Sequence, residues 1–484
     1  MRQLTELDYA FVQMEGNRTP MHITAVMFYD PTGRDRGKVR FKEILTTFNR
    51  NLHKSAIFRR KLAGESMGFD TPYWVEDADF DLEFHVRHLA LPNPGDWRQL
   101  CILLARLHAR GLDMSRPLWE AYVIEGLEGV ADLPPNGFVI MLKVHHCAID
   151  GISAAEIINA IHSLTKEKEP PAVEDHWRGE KEPSGLQVWS RAYLNNLKRP
   201  LKMLETVGEL IPAALRVRQT AAERHREDKP TAVKTRFNTR ISTYRVTDAI
   251  IMDLDKVKAI KNAIEGATVN DVVVSIVGGG LRKYLEAKGE LPDTSLVCGA
   301  PINVRADRNS DSIGNQVGLM TIDMASDIDD PVQRLQAVTR HAEDSKAYSS
   351  ALGANTMMDI TRGMWPPVLG AGLRAATLAA VTSDMALPLH TVVSNVPGPQ
   401  HPLYLAGARL HMMMGMGPVM DMMGLFHGVI SGAGKITINF VSCRELMPDP
   451  DFYRDCLQQA HDELETAAIG TPARPKRRRR KKQA

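Results

Sequence analysis

Val144-His145-His146-Cys147-Ala148-Ile149-Asp150-Gly151 closes the apolar run Gly137-Phe138-Val139-Ile140-Met141-Leu142-Lys143. The run has the length and β-branched content of a buried strand, so a strand is expected to deliver two histidines to its own end. Side chains alternate across a strand, which sends His145 and His146 to opposite faces. His146 falls with Phe138, Ile140, Leu142 and Val144 on the more apolar face, and His145 falls with Val139, Met141 and Lys143. Asp150-Gly151 is a turn signal. Ser153-Ala154-Ala155-Glu156 ahead of Ile157, Ile158 and Ile161 reads as a capping box opening a helix. The unit is strand, tight turn and helix, with an imidazole at the corner.

The chain has 484 residues, too many for one ordinary core, which implies two domains. Its formal charge is +2, but eight basic residues between Arg474 and Lys482 leave −6 for the remainder, so the basic character is confined to the end. Five cysteines without C-x-x-C spacing fit a reduced, intracellular protein. The first residues lack the apolar core of a signal peptide. No run of about 18 uncharged apolar residues occurs, so no spanning helix is expected.

Helix and strand patterns alternate on both sides of the histidine motif, which makes the class α/β. Residues 1–170 are expected to form an N-terminal domain and 235–470 a C-terminal one. Between them, 171–234 carry a Lys-, Glu-, Pro- and Gly-rich linker and an amphipathic, Arg-rich helical stretch that is expected to bridge the domains. Residues 471–484 form a basic tail that is disordered by composition. In the second half, Thr268 and Asp271 sit at N-cap and N3 spacing before an apolar run, predicting a helix, although its β-branched residues also suit a strand. Thr391 to Pro399 reads as a strand breaking into a rigid turn.

An imidazole at the end of an apolar strand, with Asp150 four residues on, suits a general base, because desolvation disfavours its charged form. A buried structural histidine beside a turn aspartate fits the same residues. Adjacent strand histidines diverge and no third ligand lies at helical spacing, so no metal site is expected. The methionines between Met412 and Met423 suit either an adaptable tunnel wall or the packing of a strand pair.

The HHCAIDG stretch matches the H-H-x-x-x-D-G signature shared by CoA-dependent acyltransferases and by condensation domains of nonribosomal peptide synthesis. Further stretches resemble the bacterial wax ester synthase/diacylglycerol acyltransferase family. These are Pro117-Leu118-Trp119, the pair Asn270-Asp271, GNQVG at Gly314–Gly318, SNVPGP at Ser394–Pro399 followed by PLYLAGARL, and Leu4-x-x-x-Asp8 with Pro20-Met21-His22-Ile23. The resemblance runs from about Leu4 to Thr466.

It implies two chloramphenicol acetyltransferase-like domains with a substrate channel between them. The implied reaction moves a long-chain acyl group from acyl-CoA to diacylglycerol or a long-chain alcohol. His146 is then the general base, and no acyl-enzyme forms, in keeping with the missing G-x-S-x-G elbow. Asn270 becomes the candidate oxyanion donor, with helix capping as its other reading. Asp150, with Arg305 as partner, supports the turn, and His145 is the lesser, structural histidine. Trp119, Gly151, Asp271, Ser394 and Asn395 are expected to face substrate. No cofactor is expected, since acyl-CoA is a substrate. The expected partners are acyl-CoA, the lipid acceptor and a membrane or lipid-droplet surface met through the basic tail, with no nucleic acid. The expected place is the cytoplasmic face of the membrane. Two other readings fit the shared signature: condensation-like amide formation, and an inactive lipid-droplet binding protein.

Overall fold

The computed structural model describes residues 2–34, 37–64, 70–149, 154–166, 177–197, 233–303, 317–352 and 389–470, with isolated positions at 372, 375, 379 and 381. Asp150, Gly151, Arg305, Gly314, the basic tail and most of Met364–Leu387 lie outside the described residues.

In the first half the elements are β1 (Arg2–Gln3), α1 (Glu6–Met14), β2 (His22–Asp30), α2 (Phe41–Asn51), β3 (Arg60–Ala63), β4 (Tyr73–Glu76), α3 (Leu82–His85), β5 (Val86–Ala90), α4 (Trp97–His108), β6 (Trp119–Glu125), β7 (Phe138–His145) and α5 (Ala154–Ile161). A helix over 185–197, α6, follows. The second half adds β8 (Arg245–Asp253), α7 (Leu254–Ala263), α8 (Val269–Ala287), β9 (Val297–Asn303), β10 (Val317–Asp323), α9 (Pro331–Leu352), β11 (Thr391–Pro397), β12 (Tyr404–Leu405), β13 (Ala408–Met416), β14 (Leu425–Gly432), β15 (Lys435–Cys443) and α10 (Pro450–Ile469).

Two six-stranded mixed sheets carry the molecule, in the orders β12-β13-β2-β7-β6-β5 and β10-β9-β11-β14-β15-β8; β1, β4 and β3 form a small third sheet. Every residue of β7 is buried, as its continuous apolar run requires of a central strand covered on both faces. Phe138, Ile140, Leu142 and Val144 pack with Ile44 and Phe48 of α2 and with Ile157 and Ile161 of α5. Val139 and Met141 pack on the other side with Leu100, Leu104 and Leu107 of α4 and with the core of the second half.

The run after Thr268 is a helix. Thr268 Oγ1 accepts the Asp271 N–H at 3.2 Å while Asp271 Oδ2 accepts the Thr268 N–H at 2.8 Å, a reciprocal cap that outweighs the β-branched residues. The described helix of the expected bridge, α6, packs on the small sheet: Asn195 donates to Asp70 at 2.8 Å, and Val188 and Ala192 are buried.

The second half does not keep its strands to itself. β13 pairs antiparallel with β2, Met416 opposite Thr24 and Gly415 opposite Ala25, so a strand from beyond residue 400 completes the first sheet. From there it touches the second sheet as well. Thr437 Oγ1 on β15 donates to the Met413 carbonyl at 2.8 Å. On β14, a Cβ added at Gly428 would stand 1.9 Å from the Gly415 carbonyl oxygen. Glycine is required there by the closeness of two backbones. Gly428→Ala is therefore expected to push the sheets apart and cost about 2 kcal/mol or more, read as a lower urea midpoint; an unchanged midpoint would refute so close a contact.

Candidate active site

The strand ends between the two histidines, so the alternation rule stops at His145. His146 begins a 3-10 turn, His146–Ile149, and its N–H donates to the Met21 carbonyl at 2.8 Å. Helix α1 holds both imidazoles. Phe11 stacks on His146 with ring centroids 3.9 Å apart and planes 15° off parallel. One helical turn later Glu15 places Oε2 3.3 Å from His145 Nε2, and the same oxygen accepts the Met21 N–H. Glu15 is the C-cap of α1, four residues after Phe11 and so on the same side, which is why one short helix and its cap reach both. His145 Nδ1 accepts the Cys147 N–H at 3.2 Å, so its proton belongs on Nε2, toward Glu15. His145 thereby ties the turn that carries His146.

Desolvation, and secondarily the neighbouring His145, push the His146 imidazole down to about 4. It is therefore neutral throughout the neutral pH range. Behind His145 lies a buried polar row on the face shared by β2 and β7. His22 is the register partner of His145, and Thr24 that of Lys143. Thr24 Oγ1 is 2.9 Å from His108 Nδ1, and Lys143 donates to the Arg110 carbonyl at 2.6 Å beside Glu120 at 3.6 Å. Burial lowers Lys143 to about 8 against the opposing pull of Glu120.

The opposite side of the motif is apolar. A cavity of about 670 Å³ lies between the sheets, lined by Ile23 and Ala25 of β2, Met413 and Met416 of β13, and Phe426 and Ile430 of β14, among others. β11 supplies Ser394, Val396 and Pro397, the turn after it Gly398 and Pro399, and α5 supplies Ile158 and Asn159. Ile23 is the register partner of Val144, and His146 bonds the carbonyl of Met21, so the imidazole stands two register positions beyond Ile23 in the cavity lining. The volume lies within the usual range for small-ligand sites, roughly 300–1,000 Å³.

The sequence-predicted residues divide as follows. His146 and Ser394 are at the corner and in the cavity wall. Asn395, next on the same strand, is not among the lining residues, as alternation requires. The expectation for Trp119 is corrected. It is fully buried, donates to the Phe58 carbonyl at 3.0 Å and stacks on His85 at 4.7 Å, so it fills core. Asp271 is likewise corrected to a helix cap, its carboxylate turned onto the Thr268 N–H. Asn270 is half-buried in the first turn of α8, and among the described residues no hydrogen bond joins it to His146. Of the methionine cluster, Met413 and Met416 line the cavity, while Met412 and Met414 are packed in the core.

Sequence reading missed Phe11 and Glu15, whose signal was their four-residue spacing on a helix opened by Thr5. It also missed His162, a buried cavity residue. Its Nδ1 is 2.6 Å from the Ile158 carbonyl and so carries the proton, and its Nε2 receives the Tyr29 hydroxyl at 2.8 Å.

The wax ester synthase/diacylglycerol acyltransferase catalytic domain matches residues 4–273, and the C-terminal domain of the same family matches 313–465. The chain belongs to the wax ester synthase/diacylglycerol acyltransferase family. It is an acyl-CoA-dependent O-acyltransferase with that family's two-domain α/β fold. A putative diacylglycerol O-acyltransferase of Mycobacterium tuberculosis strain H37Rv is 32% identical over 97% of this chain and 100% of its own length. A second from that strain, named a probable diacylglycerol O-acyltransferase, is 31% identical over 95% of this chain and 98% of its own. Among solved structures, the wax ester synthase/diacylglycerol acyltransferase of Marinobacter aquaeolei VT8 superposes with a TM-score of 0.68 at 25% identity, covering 97% of this chain and all of that one. The first condensation domain of the calcium-dependent antibiotic synthetase shares the fold, with a TM-score of 0.57 at 13% identity over 98% and 97% of the two chains.

The acyltransferase buries several neutral imidazoles: desolvation lowers His146 and His162 to about 4, and His108 and His427 to about 3. Free in an unfolded chain, they titrate near about 6.5. The unfolded state therefore binds more protons below that value, so the stability they support is complete above about pH 6.5 and is lost as pH falls toward 4. The urea midpoint is expected to decline steadily between about pH 7 and pH 4.5, with a shallower slope in His427→Gln. A midpoint independent of pH in that window would overturn the neutral assignment.

Proposed function

We propose that the enzyme transfers a long-chain acyl group from acyl-CoA to diacylglycerol or to a long-chain alcohol, by direct attack with His146 as general base. The observation that carries the proposal is the apolar cavity of about 670 Å³ together with a neutral imidazole at the end of β7, just beyond the cavity lining. His146 removes the proton of the acceptor hydroxyl as its oxygen bonds to the thioester carbonyl carbon. The carbonyl oxygen gains the negative charge, which Asn270 and the N-terminal N–H groups of α8 would stabilise. The charge then returns, the carbon–sulfur bond breaks, and the departing CoA thiolate takes the proton from His146. A thiol of ordinary pKa is a good leaving group and needs no further acid.

Phe11 and the Glu15–His145–Cys147 chain hold the base in place; neither touches the reacting atoms. The cavity wall of Met413, Met416 and Ile430 suits a flexible alkyl chain, with thioethers adapting to its path. The substrates are amphiphiles, so the enzyme works against a membrane or lipid-droplet surface. Among the described residues no helix is long and apolar enough to cross a membrane.

The test offers palmitoyl-CoA with hexadecanol or dioleoylglycerol to the purified protein and follows thiol release and ester. His146→Ala is expected to lower kcat by about 10²-fold or more, and Asn270→Ala by about 10²-fold, with little change in KM for palmitoyl-CoA. Ester formation undiminished in His146→Ala would remove the general-base role. Because the imidazole loses its proton near about 4, the rate is expected to stay level from neutral pH down to about pH 5 and to fall below that. A fall centred near about 6.5 would mean that His146 is solvated in the working enzyme.

A further inference from the structure

Helix α6 has two apolar faces, and one of them packs on the small sheet. Val188 and Ala192 point inward, where Val188 Cγ2 lies 3.0 Å from the Cβ position of Gly64, and Asn195 reaches Asp70 on the same side. At about 100° per residue, Leu186, Tyr193, Leu194 and Leu197 fall on the opposite side, with Trp189 at its margin. Leu186 is 82% exposed, Tyr193 69% and Leu197 65%. Of the twelve large hydrophobic side chains exposed among the described residues, five are on this one helix. Scattered exposed leucines are ordinary; a contiguous stripe marks an interaction surface.

Charge identifies the partner. From Gly185 to Leu204 the sequence contains no acidic residue, whereas Arg191, Lys198, Arg199 and Lys202 are basic. Long aliphatic side chains with a tyrosine and a tryptophan, next to basic residues without acids, match an anionic lipid interface, where aromatic rings favour the headgroup level. We propose that α6 is a docking helix that lays its Leu186–Leu197 stripe into an anionic lipid surface. The inference rests on the proposed function only in that a lipid acceptor is met at such a surface.

The test uses the full chain and vesicles of phosphatidylcholine with or without phosphatidylglycerol. The wild type is expected to co-sediment with the anionic vesicles and less with the neutral ones. The triple variant Leu186→Ser, Tyr193→Ser, Leu197→Ser should partition roughly tenfold less or weaker, with an unchanged thermal midpoint because the positions are exposed. Its transfer to a short, water-soluble alcohol should be unchanged. Equal vesicle binding by the two proteins overturns the proposal. So does a variant that turns a dimer into a monomer while binding vesicles as before, which would make the stripe a contact between copies. Vesicle binding that depends on the stripe, in a protein that transfers acyl groups to no acceptor, would refute the proposed function and leave the docking helix standing.

Discussion

Pairing between β13 and β2 is the contact on which the working parts of the molecule depend. It places Met413, Gly415 and Met416 beside Ile23 and Ala25, so one wall of the cavity is a seam between residues about 390 positions apart. Gly428 lets the second sheet close against that seam backbone to backbone. Without the exchanged strand, β2 would be an open edge, and the turn at Ser394–Pro399 would have nothing to face.

Helix α1 imposes a second constraint, on the scale of single side chains. Two adjacent histidines are gripped by two residues one turn apart, Phe11 by stacking and Glu15 by charge. The grip is dry, which sets the chemistry available. Desolvation that holds His146 near 4 keeps it unprotonated but makes it a weak base. In the proposed reaction, rate then has to come from placement of the hydroxyl and from stabilisation of the oxyanion more than from basicity. A site of this kind is sensitive to the angle of the ring, which gives the supporting contacts of His145 their importance.

Much of this was legible before any coordinates. The reciprocal cap of Thr268 and Asp271 is local, involving residues three apart, and the apolar run of β7 could only be a doubly covered strand. What failed was reasoning carried past its range. Alternation held through His145 and stopped because the backbone turns into a 3-10 segment at His146. Trp119 fits either a channel wall or core filling by its sequence, and the structure gives the second: its indole N–H and ring are engaged by Phe58, Phe48 and His85. Asp271 makes the cap that its spacing advertised, through Oδ2. The strand character of β13 was visible in its sequence, but its partner was not, because periodicity tells which face is buried and not against which strand. The methionine cluster divided for the same reason: neighbours on one strand went to the cavity and to the core.

The exchanged strand also bears on how the protein is made. As the chain leaves the ribosome, β2, β7, β6 and β5 are all translated before residue 150, yet their sheet lacks its seam until β13 emerges after residue 408. For most of translation the nascent N-terminal half therefore carries β2 with one unpaired, largely apolar edge, the kind of surface that pairs wrongly with other chains. Completion of the first sheet beside the histidine corner waits on residues about 390 positions downstream, and so does the cavity wall that β13 supplies.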